Sequence, residues 1–223
     1  MLSDARTAPL RLALACALTL LGAGCQQANP PIVKGQTFSA AAGSMKTVAV
    51  MPFYPRPELR QRAPDADVDA LAKNVAIYVA DALAAQGIRV VPPTDLQISF
   101  MNDGAPVPRR DPQAAAEVAA RDFGATSVVL GELTRWRERE GANLGSGSAA
   151  SVSYTLRLFQ APGGRRLWTS RFDHTQRTIT DDLLTARKYP GGGTRWLKAS
   201  ELARWGAGAA AEDMVQGQWR ASK

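Results

Sequence analysis

The chain carries one histidine, His174, and two cysteines, Cys16 and Cys25, among its 223 residues. So few ligands cannot assemble a four-ligand zinc or iron–sulfur centre, and a disulfide framework is not what organises the fold. Long apolar runs are missing too. The stretch from Leu12 to Leu21 spans only about 15 Å as a helix, half of the ~30 Å of hydrocarbon that a membrane span must cross. No Walker A sequence and no Gly-x-Ser-x-Gly elbow occurs, which removes the commonest phosphate-cradle and serine-hydrolase signatures. What remains is globular in composition, with 45% hydrophobic and 21% charged residues. A chain of this length suits one domain, or two small ones, and buries enough surface to need no metal or disulfide staple.

The amino terminus reads as an address. Arg6 and Arg11 precede the short apolar run, and small residues follow it, which is the layout of a secretory signal. Leu21-Gly22-Ala23-Gly24-Cys25 resembles the lipobox of bacterial lipoproteins, with Gly22 where that family usually has Leu. The resemblance implies removal of residues 1–24, acylation of Cys25 and attachment to membrane lipid through its chains. Gln26 rather than Asp after the cysteine implies the outer membrane, with the domain facing the periplasm. The alternative is ordinary cleavage near Ala15 or Ala17, which would leave Cys25 as a free thiol. Loss of Arg6, Arg11 and Asp4 takes the net charge from +7 to +6. Nucleic acid is not an expected partner, because the signal directs the chain to a compartment without it. Anionic lipids and cell-wall polymers are the acidic surfaces available there.

Residues 25–44 are expected to be the acylated cysteine and a flexible tether, since Pro30-Pro31 and the small residues show no sustained period. Residues 45–223 are expected to form one mixed α/β domain. Met45 to Phe53 reads as a buried strand closed by Pro52, followed by a Pro-rich loop through Pro55, Pro57 and Pro64. Val68, Leu71, Val75, Val79 and Leu83 recur at helical spacing up to Gly87. Ile88–Val91 reads as a strand, Thr94 as the cap of a short helix, and Asp111-Pro112 as the start of another. Ala125–Gly131 is a third apolar strand. Val152–Leu158 then alternates and returns through Pro162-Gly163-Gly164 to Leu167–Phe172, an antiparallel hairpin. A helix from about Glu201 to Trp219, capped by Ser200, closes the chain. The fold class predicted is α/β: a two- or three-layer mixed sheet of about five strands, in the order β-α-β-α-α-β-β-β-α.

Val48-Ala49-Val50-Met51-Pro52-Phe53, Gly87 to Val91, and Phe123 to Leu133, with the hairpin close from Leu158 to Trp168, resemble envelope proteins with a domain like the amino-terminal domain of TolB. Curli-secretion lipoproteins and lipoprotein activators of peptidoglycan synthases belong to that group. The resemblance implies a non-catalytic binding or assembly factor of the cell envelope, whose partner is an envelope protein or a cell-wall polymer. It carries no catalytic residues, cofactor or metal. Two alternatives are a subunit of an oligomeric curli-type export complex and an envelope hydrolase. The insertion from Arg137 to Ala150, with Leu144 as its only large apolar residue, could not coat the lipid face of a barrel.

Few residues stand out as a site. In Thr134 to Glu140 the strand period puts Arg135, Arg137 and Arg139 on one face, with Trp136, Glu138 and Glu140 on the other. Such a row reads either as protection of a strand edge or as a partner contact. Arg195, Trp196 and Lys198, just after the glycines 191–193, form a second candidate contact. Trp196, Trp205 and Trp219 read as core and cap packing, or as platforms for glycan rings. A hydrolase would have to draw on His174 with Asp173 and Asp181. Gly206-Ala207-Gly208 falls inside the last helix, where close packing explains it better than a dinucleotide loop.

Overall fold

The computed structural model describes residues 33–39, 41, 44–63, 66–108, 110–142, 145–177, 189–190 and 195–221. The signal segment, Cys25, Asp181 and the glycines 191–193 lie outside the described residues.

Strands β1 (Val33–Thr37), β2 (Thr47–Val50), β3 (Tyr54–Pro55), β4 (Arg89–Val91), β5 (Ser127–Arg137), β8 (Ser151–Gln160) and β9 (Arg166–Thr175) make a seven-stranded mixed sheet. Its order is β1-β9-β8-β5-β2-β4, with β3 also pairing β5. The strands joined through helices, β2, β4 and β5, pair in parallel, while β5, β8, β9 and β1 pair antiparallel. That division follows the connections, because a parallel pair needs a crossover and a hairpin does not. The insertion after β5 forms a separate two-stranded sheet, β6 (Glu140–Ala142) with β7 (Gly145–Ser148).

Five helices are found among the described residues: α1 (Pro57–Arg62), α2 (Val68–Ala85), α3 (Pro93–Asn102), α4 (Pro112–Phe123) and α5 (Ala199–Ala221). Helix α2 starts on Asp67, whose carboxylate accepts from the Ala70 N–H. Helix α4 starts on Asp111, which accepts from Gln113 and Ala114, and stops on Gly124 in the left-handed region at φ 60°. No described helix is long and apolar enough to cross a membrane.

The helices sort onto the two faces. Helices α2 and α5 pack on one face with Val50, Val129, Leu133, Tyr154, Trp168 and Phe172 as core. Among the described residues, helices α3 and α4 cover the other face over β2, β4, the start of β5 and the end of β8, around Ala49, Met51, Val128, Leu130 and Phe159. On that second face β8, β9 and β1 present polar residues, among them exposed Lys34, Gln36, Arg171 and Asp173. The parallel half is thus three layers and the antiparallel half two.

Several expectations change. Residues 33–37, assigned to the tether, are a sheet strand: β1 pairs β9 along its whole length, and Val33 is 4% exposed. The Pro-rich loop contains β3 and α1. Helix α3 begins after Pro92, with Pro93 in its first turn, so Thr94 lies inside the helix. Helix α5 begins at Ala199, two residues earlier than expected, so Ser200 is not its cap. Glu138 and Glu201 do the capping instead, accepting from the N–H groups of Ala199 and Lys198. The glycines of α5 do serve packing. A side chain at Gly206 would meet the Phe172 ring and the Tyr154 hydroxyl at 2.6 Å.

Candidate functional site

The uncovered half-face of the sheet is the most unusual surface of the described chain, and its pattern is set by register. Strand β5 carries a bulge between Leu133 and Arg135, where Thr134 is the extra residue against β8. A strict period of two would put Arg135 beside Leu133 on the core face. The bulge turns it onto the face of Glu132 instead. Below the bulge, cross-strand partners make one continuous row: Lys34 opposite Arg171, Arg171 opposite Thr155, Thr155 opposite Glu132, and Glu132 opposite Tyr54.

At the β3 end of this row lies a cleft of about 630 Å³ lined by Tyr54, Arg56, Arg110, Glu132, Arg157 and Phe159, with Glu58 at its rim. Glu132 is the anchor. It is 4% exposed, and a buried carboxylate needs partners. Arg56 supplies two, from Nε at 3.4 Å and Nη2 at 3.2 Å, and Arg110 Nη2 stands 3.8 Å away. The Glu132 bond raises the Arg56 guanidinium above its ordinary pKa. Arg110 also lies over the Tyr54 ring, 5.6 Å from its centre. Arg157 lines the cleft with no ion pair to any described residue.

Further along the same face Arg135 bonds the Ser151 hydroxyl and Asp173, and Arg171 bonds the other Asp173 oxygen. Partial burial pushes the Asp173 carboxyl up, but these two guanidinium groups outweigh it and hold it below the usual range. Asp173 is therefore a structural counter-ion. It is not poised to assist His174, whose Nε2 instead meets the Tyr189 hydroxyl at 2.6 Å. The His174 ring stacks on Phe172 and meets Trp205 edge-on. The structure thus half-buries His174 in an aromatic cluster.

The arginine row divides. Arg135 is built into the sheet, Arg137 is exposed with no ion pair among the described residues, and Trp136 turns to the core face, donating to Glu138. Strand β5 is central where β2 and β3 pair with Ser127–Val129 and Glu132–Leu133, but Arg135–Arg137 pair with β8 alone, so this end of the strand has one side without a ladder among the described residues. Arg139 is half-buried beyond the end of β5. In the second candidate contact, Arg195 grips Glu201 with two bonds of 2.9 and 2.6 Å. That bond, reinforced by the Lys198 N–H against the opposing cost of burial, holds the Glu201 carboxyl down at about 2. Trp196 is half-buried and Lys198 exposed. Of the three C-terminal tryptophans, Trp205 joins the aromatic cluster and Trp219 is 69% exposed. No cluster of three His, Cys, Asp or Glu able to hold a metal occurs among the described residues.

Sequence reasoning missed Glu132, Arg56, Arg110 and Arg157 as a group. One signal was available: Glu132 is the lone acid of an apolar strand, and a charge there requires a partner.

These features define a mixed α/β domain with one half-face of its sheet left open, polar and rich in guanidinium groups. No family model matches the chain, and no curated protein matches it. Solved structures are similar to it at low identity. The PelC dodecamer from Paraburkholderia phytofirmans is 19% identical with a TM-score of 0.43, covering 79% of this chain and 96% of that one. Lipoprotein GNA1162 from Neisseria meningitidis is 17% identical at 0.42, covering 63% and 92%. The LpoB C-terminal domain from Escherichia coli is 16% identical at 0.39, covering 59% and 84%. At these scores the likenesses carry no argument about what the open face does.

Proposed function

We propose that this chain is an outer-membrane lipoprotein, held through acylated Cys25 and facing the periplasm, that acts as a non-catalytic binding and assembly factor of the cell envelope. The observation that carries the reading is the half-face just described. A sheet that buries its other surfaces leaves one open, polar and cationic, beside a cleft of ligand size. A surface of this kind recruits an acidic partner and steers it in. The lipobox-like Leu21 to Cys25 and the resemblance to TolB-type and curli-secretion-type envelope domains support the placement. In this reading the connection from the acylated cysteine to the domain ends at Val33, where β1 begins.

The test is in whole cells. A photo-crosslinking residue at Thr155, in the centre of the open row, should give a discrete adduct with an envelope component, and the same probe at Asp81 on α2 should not. Equal or absent labelling at both positions would remove the proposal. Mass spectrometry of the mature protein should show a diacyl or triacyl modification on Cys25. An unmodified thiol there would move the protein away from the membrane.

A further inference from the structure

We infer that the cleft at Glu132 and the row leading from it form a binding site for a hydrophilic chain bearing acid groups: an anionic glycan or glycerol-phosphate polymer rather than a protein surface. This rests on the binding role proposed above and names the class of partner.

Three observations converge. The first is a surplus of guanidinium. Arg56, Arg110 and Arg157 line the cleft against Glu132 and the exposed Glu58. Glu132 engages Arg56 closely and Arg110 only at 3.8 Å, and Arg157 makes no ion pair with any described residue. Guanidinium forks suit carboxylate and phosphoryl oxygens, which they grip two at a time. The second is a pair of like charges. Lys34 and Arg171 are direct cross-strand partners on an exposed antiparallel ladder, and the one carboxylate bonded to Arg171, Asp173, is shared with Arg135, so like charges stand opposite each other with only part of one acid to offset them. An anion lying across them would relieve that repulsion. The third is what the face lacks. The exposed large apolar residues of the described chain are Phe38, Ile77, Ile98, Met101 and Trp219, and none belongs to this row. Protein interfaces are anchored by buried aromatic or aliphatic groups, so a face of Lys34, Arg171, Thr155 and Arg157 fits a polar polymer better. Five strands at about 4.8 Å spacing make the row from Lys34 to Tyr54 roughly 19 Å long, room for several repeating units.

The test measures binding of the purified full chain in detergent to a fluorescent oligogalacturonate, a glycerol-phosphate oligomer, a neutral chitin oligosaccharide of equal length and an oligoglutamate peptide. At least one of the two acidic non-peptide polymers should bind, more weakly as salt is added, and which of them binds better identifies the acid group. Arg157→Gln should weaken binding about ten-fold or more with the melting temperature unchanged, and Arg110→Gln should weaken it likewise while lowering melting slightly, since Arg110 also faces Glu132 and the Tyr54 ring. Arg220→Gln, which removes the same charge from the end of α5, should leave binding alone. Lys34→Glu gives the sharpest readout, because it should stabilise the free chain while weakening the complex. Equal binding of the neutral oligosaccharide, equal or tighter binding of oligoglutamate, or full binding by Arg157→Gln would each overturn the inference. Failure of all four probes would do the same, and would leave the crosslinking test of an envelope partner standing on its own.

Discussion

Gly35→Val should unseat β1 without unfolding the rest of the sheet. Backbone freedom is not the reason, since Gly35 is not among the positive-φ glycines. The reason is space. A Cβ at residue 35 would overlap the Asp213 carboxylate on α5 and stand 3.0 Å from Trp168 Nε1. Those two groups are bonded to each other, Nε1 donating to Asp213 Oδ2 at 2.9 Å. A side chain at 35 must expel Asp213 and break that bond, at about 1.5–3 kcal/mol for a hydrogen bond to a charged group. Forcing methyl groups into a filled contact adds about 1–3 kcal/mol. The strand itself is held by burial of Val33, worth about 1.5–3 kcal/mol, and by its ladder to β9. Cost and holding energy are comparable, so the chain relieves the clash by releasing β1. A loss of about 3 kcal/mol lowers the melting temperature by roughly 6–12 °C in a chain of this size.

Amide hydrogen exchange by mass spectrometry reads this directly. Residues 33–37 and their partners in 168–172 should lose protection, while β5 and β8 keep theirs. Asp213→Ala in the same chain makes room for a smaller side chain, so Gly35→Ala with Asp213→Ala should lose less than the two single changes together. A Gly35→Val protein with wild-type melting and a protected β1 would refute the packing argument.

The remaining expectations concern charge and helix contact. Arg135→Ala should cost about 1 kcal/mol, because it strips a guanidinium from Asp173 and a bond from the buried Ser151 hydroxyl; Arg137→Ala should stay within about 0.5 kcal/mol, and equal effects on melting would contradict the division of that row. The Glu201 carboxyl is held at about 2 in the fold, below its usual value, so its contribution is fully present above about pH 4.5 and is lost as pH falls toward 2. Because the pair is half-exposed, that contribution is of order 1 kcal/mol, and Glu201→Gln should flatten the acid limb of the stability curve in this window while leaving neutral pH only slightly less stable. Gly206→Val should cost about 3 kcal/mol by pushing α5 off the Phe172 ring and the Tyr154 hydroxyl, measured by urea unfolding; a loss under about 1 kcal/mol would show that the contact yields.

The elements that announce themselves locally were legible in the sequence. Helix α4 carries its stop and start in its own residues, Asp111 with Pro112 and then Gly124, and the β8–β9 hairpin shows clean alternation. Strand β1 does not. Val-Lys-Gly-Gln-Thr has a polar face and a central glycine, and what makes it a strand is the waiting edge of β9 and the carboxylate of Asp213. The site was hidden for the same reason. Its arginines come from the segment after β3, the turn before α4 and the middle of β8, and only register brings them round Glu132. The bulge at Thr134 is equally silent in the sequence, yet it decides that Arg135 shares a face with Glu132.

Lys34 and Arg171 stand 137 positions apart in the chain and touch only when the first strand closes onto the last. A chain that stops before β9 leaves Lys34 without Arg171 and the row without its end. Under the inference drawn above, binding would therefore report that β1 has closed onto β9, and a copy in which it has not would be silent.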